Sequence, residues 1–114
     1  MKIDNYEFGK IVINGKEYSN DVIIFPDHVK GDWWRDEGHV FSVKDLEEAF
    51  NAEPEILILG IGHDGMVNVK DEVMEHCNKK NIQTVVEKTG KAVETFNKLS
   101  GEDKKVVAAL HLTC

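Results

Sequence analysis

Cysteine is scarce in this 114-residue sequence, and its scarcity argues against two kinds of protein. Only Cys77 and Cys114 are present, and they form no C-x-x-C pair. A disulfide-stapled domain needs several paired cysteines, so we expect a reducing compartment instead. The five histidines fall in different parts of the sequence with no H-x-x-x-H spacing. The sequence therefore predicts no zinc site.

Long apolar runs and clusters of positive charge are also missing. The longest apolar stretch, Ile56 to Ile61, is far shorter than the roughly 20 residues that cross a bilayer. The first residues, 1–4, lack the apolar core of a signal peptide. The net charge of -7, with no run of Lys and Arg to offset it, repels phosphate backbones. We therefore expect a cytoplasmic protein with neither a membrane nor a nucleic-acid partner.

The N-terminal half has the pattern of β structure. Residues from Tyr6 to Ile13 are rich in β-branched and aromatic types, and Asn14-Gly15 is a strong hairpin signal. A further strand is predicted from Asp21 to Phe25, before Pro26, so a β meander opens the chain. Later, Ser42-x-x-Asp45 has the form of a capping box and predicts a short helix.

Strands and helices alternate in the second half. Strands are predicted at Ile56 to Ile61, Ile82 to Val86 and Val106 to Leu112, with helices at Asp71 to Lys80 and Gly90 to Leu99. This βαβαβ order predicts an α/β fold, and near-continuous apolar strands predict a sheet covered by helices on both faces. With no repeat and no linker, residues 1–114 are expected to form a single domain.

The sharpest motif is Gly60-Ile61-Gly62-His63-Asp64-Gly65, a G-x-G-x-x-G string directly after a predicted strand. In a dinucleotide-binding unit the third glycine lies in the first turn of the following helix. Here Gly65 precedes the extended segment Met66 to Val69, and the helix begins only near Asp71. We therefore interpret Gly60 and Gly62 as a tight corner that floors a pocket. The alternative, a nucleotide-binding enzyme with Glu87 on the ribose, stays open.

The most unusual loop is Trp33-Trp34-Arg35. Adjacent side chains of an extended segment point in opposite directions, so one tryptophan is expected to cover the core while the other borders a cleft or partner surface. Arg35 is the best candidate to contact an anion, and its alternative role is to pair with Asp36 or Glu37.

Two histidine motifs have weaker claims to chemistry. His63 and Asp64 could form a base with its orienting carboxylate, but adjacent residues rarely face each other, so a solvated turn is the expectation. His111 and Cys114 point to opposite faces of an extended chain and are interpreted as a chain end. No nucleophile elbow is present, and no catalytic residue is predicted.

Four groups of residues resemble one small family. They are the Trp34-Arg35-x-x-Gly38-His39 loop, Gly60-x-Gly62 after a strand, Thr89 with Ala92, Thr95 and Asn97, and the segment Val107-Ala108-Ala109-Leu110-His111-x-Thr113-Cys114. In their order and spacing they resemble the Mth-type domain of unknown function, whose relatives include the mitochondrial complex I assembly factor 3 and an adipogenesis-associated protein.

The resemblance implies a three-layer α/β domain with a mixed central sheet and an N-terminal β extension. It implies no established enzymatic activity and no cofactor. We expect a non-catalytic module that binds an unidentified protein partner or a small molecule, with Thr89 capping a helix beside the pocket. A structural homo-oligomer, such as a homodimer, is a further alternative. The residues assigned to the predicted site are Trp34, Arg35, His39, Gly60, Gly62, Thr89 and Asn97.

Overall fold

A computed structural model describes the whole chain, from Met1 to Cys114. The first three strands form their own antiparallel sheet: β1 (Ile3–Glu7), β2 (Lys10–Ile13) and β3 (Lys16–Tyr18). The predicted Asn14-Gly15 turn joins β2 to β3, and both of its residues have the positive φ that a two-residue hairpin turn requires. The N-terminal hairpin is therefore confirmed.

Three strands and one short helix follow before the second half of the chain begins, and helices and strands then alternate. In chain order the remaining elements are β4 (Val22–Ile24), β5 (Val29–Lys30), β6 (Val40–Phe41), α1 (Glu47–Asn51), β7 (Ile56–Ile61), β8 (Asn68–Val69), α2 (Asp71–Lys79), β9 (Gln83–Glu87), α3 (Thr89–Ser100) and β10 (Val106–His111). The central sheet has the order β5-β4-β10-β7-β9, and β6 pairs separately with β8. Strands β7, β9 and β10 are parallel, whereas β4 and β5 are antiparallel to their neighbours. The mixed sheet is as predicted.

Two hydrophobic cores lie on opposite faces of this sheet because side chains alternate along each strand. Leu57 and Leu59 of β7 face one core, which includes residues of α1 and α2. Ile56 and Ile58 face the other, which includes Phe96 of α3 and the isoleucines of the N-terminal sheet. Coverage on both faces explains why the central strands are apolar at nearly every position.

One part of the predicted N-terminal meander is wrong. The strand expected at Asp21 to Phe25 forms as β4, but it pairs with β10 of the central sheet and not with the first three strands. Because β4 runs antiparallel to β10, its first residues lie beside the last residues of β10. This placement brings Asp21 to the edge where the parallel strands end.

Local signals in the middle of the chain give the expected structures. The Asp45 backbone N–H donates to the Ser42 hydroxyl over 3.3 Å, and the Ser42 backbone N–H donates to the Asp45 carboxylate over 3.3 Å, so the capping box forms just before α1. Helix α2 begins at Asp71, as predicted. None of the helices has the length and apolar character that a membrane crossing requires.

Candidate functional site

The parallel strands β7, β9 and β10 have their carboxyl ends at one edge of the sheet, which we call the carboxyl edge. This edge contains a buried cluster of charged side chains. His111 is the last residue of β10, and its Nδ1 lies 2.6 Å from Oδ2 of Asp21. Nη2 of Arg35 lies 2.8 Å from the same oxygen. Because an ionised carboxylate only accepts hydrogen bonds, Nδ1 of His111 is the protonated nitrogen. Arg35 and His111, which are 76 residues apart in sequence, therefore share the carboxylate of Asp21.

Asp21 is fully engaged at this position. Its second oxygen, Oδ1, accepts the backbone N–H of Leu112 over 2.8 Å. Burial raises the pKa of Asp21, but the hydrogen bonds from His111 and Leu112, the charge of His111 and the hydrogen bond from Arg35 together outweigh burial. The net result is a pKa below the ordinary value for an aspartate, so the carboxylate stays ionised.

Arg35 acts as the counterion of this cluster. Its guanidinium lies over the rings of Trp33 and Phe41, 4.6 and 5.2 Å from their centroids, and Nη2 also donates to the Gly38 carbonyl over 2.6 Å. Nε and Nη1 are buried without a partner. Arg35 therefore pairs with Asp21 and not with the neighbouring acidic residues, which corrects its predicted alternative role.

The two tryptophans separate as expected. Trp33 is buried and its indole N–H donates to the Asp45 carbonyl over 3.0 Å. Trp34 is 74% exposed. His39, a few residues further on, is exposed, and its ring meets the His111 ring edge-on with centroids 5.5 Å apart. The predicted loop thus contributes one buried aromatic anchor and one exposed aromatic surface.

Thr89 is not a helix cap, and this prediction is wrong. The N-cap position of α3 is Lys88, which makes no side-chain cap hydrogen bond. The buried Thr89 hydroxyl instead donates to the His111 carbonyl over 2.6 Å and accepts the Gly62 N–H over 2.9 Å. Thr89 therefore ties the start of α3 to the ends of β7 and β10. Gly60 packs directly against its hydroxyl, where a side chain has no room.

The backbone donors of the glycine turn are used by the chain itself. The N–H of His63 donates to the Thr113 carbonyl over 2.7 Å, and the N–H groups of Asp64 and Met66 donate to the Cys114 carbonyl over 3.2 and 3.0 Å. A phosphate cradle needs such N–H groups free. This arrangement disfavours the nucleotide-binding alternative.

Two other residues that the nucleotide-binding alternative requires are also engaged in contacts within the chain. Glu87, the candidate for a ribose contact, accepts a hydrogen bond from the Thr95 hydroxyl over 2.7 Å. Gly62 has a φ of +103°, and a Cβ there would overlap the carbonyl group of Cys114. Gly62 is therefore needed so that residues 113 and 114 can pack against the turn.

Tyr6 contacts the segment that follows β10 as well. Its hydroxyl donates to the Leu112 carbonyl over 3.1 Å. Burial, followed by the charges of Asp21 and Asp64, raises the pKa of Tyr6 to about 12. The phenol therefore remains protonated and continues to donate throughout the physiological pH range.

Asn97 lies away from the other predicted site residues. Its amide oxygen accepts the N–H of Ile3 over 2.9 Å, and its amide nitrogen donates to the carbonyl of the same residue over 2.8 Å. Asn97 therefore continues the hydrogen-bonding pattern of a strand and holds β1 against α3. The structure assigns it a packing role.

Two cavities of the molecule contain none of the seven predicted site residues. The larger, about 890 Å³, lies at the amino ends of β7 and β9, beside α1 and α2. The smaller, about 540 Å³, lies at the carboxyl edge and is lined by Tyr6, Glu7, Phe8, His63, Lys88, Gly90 and Lys91. The Gly60–Gly62 corner is filled by the chain, so it floors neither cavity.

Local sequence patterns do not reveal the central members of the cluster. The pattern around His111 indicates a chain end, and the pattern around Asp21 indicates only the start of a strand. A histidine within an otherwise apolar strand is the one local sign that it needs a buried polar partner. His63 and Asp64 lie in a solvated turn as expected, with both side chains exposed, although Nδ1 and Oδ1 approach to 3.2 Å.

The cluster contains a chain of groups that can relay a proton. Nε2 of His111 lies 3.2 Å from the Thr113 hydroxyl, on the side of the ring opposite Asp21. Carboxylate, imidazole and hydroxyl thus follow one another as in hydrolase triads. Thr113 lines neither of the two described cavities. The arrangement therefore stabilises the carboxyl edge.

The fold and this internally bonded edge define a small α/β protein whose glycine corner is structural. Residues 3–111 match the model of a family described as protein of unknown function, DUF498/DUF598. The chain therefore belongs to the DUF498/DUF598 family.

Solved structures with the same fold come from several organisms. A conserved hypothetical protein from Pyrococcus horikoshii is 26% identical with a TM-score of 0.85, and 100% of each chain is covered. A protein from Bartonella henselae described as an outer membrane protein is 26% identical with a TM-score of 0.83, covering 98% of this chain and 94% of that one. A Mth938-like domain from Bordetella pertussis, at 18% identity, has a TM-score of 0.74 over 97% of this chain and 85% of its own, and this likeness concerns the fold.

Proposed function

We propose that this protein is a non-catalytic, assembly-factor-like module that binds a protein partner at the carboxyl edge. The observation that carries the proposal is Trp34, whose side chain is 74% exposed although both of its neighbours are buried and bonded. A tryptophan on such a fixed backbone loses little conformational entropy on binding. Tryptophan is also among the residues that most often dominate binding energy at interfaces.

Two further exposed apolar side chains lie at the same edge. Phe8 is 54% exposed and packs edge-on against the His63 ring, with centroids 5.7 Å apart. Met66 is 61% exposed, and its backbone bonds to Cys114. Trp34, Phe8 and Met66 each belong to a loop that contacts His111 or bonds to the segment that follows β10, and we call these three side chains the apolar rim. Exposed apolar groups concentrated in one region are typical of interaction surfaces.

A protein partner fits this edge better than a small molecule does. The predicted site residues Gly60, Gly62 and Thr89 are packed against the chain and leave no cavity between them. Apart from the smaller cavity beside Phe8, what remains accessible at this edge is the apolar rim, which is a surface. The resemblance to assembly factors supports the same class of function. The proposal includes a cytoplasmic location, which the two free thiols support.

The test is affinity capture with the full chain from a lysate of the organism that produces it, quantified by mass spectrometry. The bait is compared with a Trp34→Ala variant and with a control, Met74→Ala, which removes an exposed apolar side chain from α2, outside the apolar rim. We expect one protein to be recovered by the unaltered chain and by Met74→Ala. Its recovery should fall about tenfold or more with Trp34→Ala, the loss expected of a hot-spot residue.

Purified partner and chain are then mixed and their affinity is measured by calorimetry. Phe8→Ala and Met66→Ala should weaken the complex less than Trp34→Ala does, because tryptophan buries the largest area. Equal recovery by all baits, or recovery of nothing above background, would overturn the proposal. Circular dichroism confirms that each variant is folded.

A further inference from the structure

Strand β9 leaves a row of backbone groups without partners at one edge of the central sheet. The N–H of Gln83 donates to the Glu55 carbonyl over 3.0 Å, on the β7 side. Because backbone groups alternate along a strand, Val85 and Glu87 also face β7, whereas Thr84 and Val86 face outwards. No other strand lies beyond β9, so these outward N–H and C=O groups have no partner in the fold.

The two edges of the central sheet differ in how they are protected. At the far edge, β5 is only two residues long and includes Lys30, and short strands with lysine discourage pairing with another chain. Strand β9 is five residues long and pairs with β7 in continuous register, without a bulge, a proline or a lysine. Strand β9 is therefore open to a further strand.

The sequence of β9 is complementary to itself in antiparallel pairing. A two-fold axis through Val85 sets Thr84 opposite Val86 of a second copy, and Gln83 opposite Glu87 of that copy. The outward groups of Thr84 and Val86 then form four backbone hydrogen bonds, and no two like charges are opposed. A second copy satisfies all the outward groups of Thr84 and Val86 in one closed, symmetric arrangement, and this symmetry favours the second copy as the occupant.

Exposed apolar side chains flank the same edge. Val86 is 40% exposed, and its register with Leu59 places it on the face of the sheet that α2 covers. Met74 of α2 is 37% exposed on that face. These two and the three of the apolar rim are the exposed large apolar side chains of the chain. A second copy paired with β9 would reduce the exposure of Val86 and Met74, which a partner bound at the apolar rim would leave exposed.

We propose that two copies of this protein pair antiparallel through β9, which joins their central sheets into one sheet of ten strands. This homodimer is separate from the partner surface at the carboxyl edge, because none of its contacts involves Trp34, Phe8 or Met66. Each dimer would then present two copies of the apolar rim.

The test measures molecular mass over a range of concentrations by sedimentation. The unaltered chain should approach twice its mass of 12.9 kDa. Val86→Lys places a charge on the outer edge without altering a buried position, and it should raise the dissociation constant about tenfold or more. Met66→Lys is the matched control, an equally drastic change of an exposed apolar side chain, and it should leave the dimer intact. A monomer at the highest concentration attainable, or equal dissociation constants for the two variants, overturns the proposal.

Amide hydrogen exchange tests the register directly. The Thr84 and Val86 amides should become protected as concentration rises, whereas those of Val85 and Glu87, bonded to β7, should be protected at every concentration. A dimer whose Thr84 and Val86 amides still exchange freely would show pairing through another surface. The Trp34→Ala variant should dimerise normally, so failure of the partner proposal and failure of this one are distinguishable.

Discussion

The carboxyl ends and the amino ends of the parallel strands differ in how tightly the chain packs around them. At the carboxyl edge, the buried cluster and the segment after β10 occupy the space beside the glycine corner. At the amino ends, a cavity of about 890 Å³ stays open between loops and charged side chains. Open α/β sheets usually bind ligands at the carboxyl edge. Here the glycine corner of that edge is filled by the chain, and the cavity of about 540 Å³ at the same edge is lined by none of the seven predicted site residues.

The largest change in the free energy of unfolding should come from adding a methyl group at Gly62, where the carboxyl edge is most tightly packed. Gly62→Ala places a Cβ on the carbonyl group of Cys114, at a backbone φ of +103° that alanine adopts poorly. We expect the free energy of unfolding to fall by about 4 kcal/mol or more, as for severe core substitutions. Chemical denaturation followed by circular dichroism measures it.

Gly90→Ala is the control for this change, because a Cβ at Gly90 meets no atom within 4 Å. It should alter stability by less than about 0.5 kcal/mol, as is usual for a surface position. Equal effects of the two substitutions would mean that the turn and the segment after β10 are not packed as described. A large effect of Gly62→Ala also means that this position cannot serve as a test of ligand binding.

The next largest effect should come from removing the shared carboxylate. Asp21→Asn leaves the Arg35 charge buried without its counterion, which should cost about 3 kcal/mol of unfolding free energy. In the unaltered chain the pKa of Asp21 is held below its ordinary value. Its contribution is therefore complete above the pKa of the unfolded state and is lost as the pH falls through the lower, folded-state pKa.

Denaturation at a series of acidic pH values checks this sign. The difference in stability between the unaltered chain and Asp21→Asn should shrink as the pH falls below the unfolded-state pKa of the carboxyl group. A difference that stays constant across the acidic range would mean that the Asp21 charge does not hold the cluster together.

The smallest change in the free energy of unfolding is expected for a substitution at the amino ends of the strands. Lys80 lines the large cavity and makes no salt bridge there. Lys80→Ala should change the free energy of unfolding by less than about 0.5 kcal/mol, because an exposed charge without a partner contributes little. A loss comparable to that of Asp21→Asn would remove the contrast between the two ends of the sheet.

Local patterns in the sequence predict the elements of this fold well. Helix α2 begins at Asp71 as expected, and the alternation of Leu57 and Leu59 with Ile56 and Ile58 explains a sheet buried on both faces. These predictions succeed because the period of apolar residues depends on neighbours only a few positions away.

The buried cluster could not be predicted in the same way. Asp21 and His111 are 90 residues apart and meet only because β4 lies antiparallel to β10. Thr89 has the residue type of a helix cap, yet its hydroxyl bonds across to β7 and β10 because α3 starts one residue earlier than the pattern indicates. Contacts of this kind depend on strand order, which a single sequence does not encode locally.

The position of β10 also has a consequence for folding. It lies in the middle of the central sheet, between β4 and β7, yet it follows every other strand in the sequence. During synthesis β4 and β7 emerge before β10, so each has an unpaired apolar strand edge that can pair with a wrong strand. Contacts that span most of the chain slow folding as well. A nascent chain lacking β10 is thus expected to be the form most prone to aggregation and most dependent on chaperones.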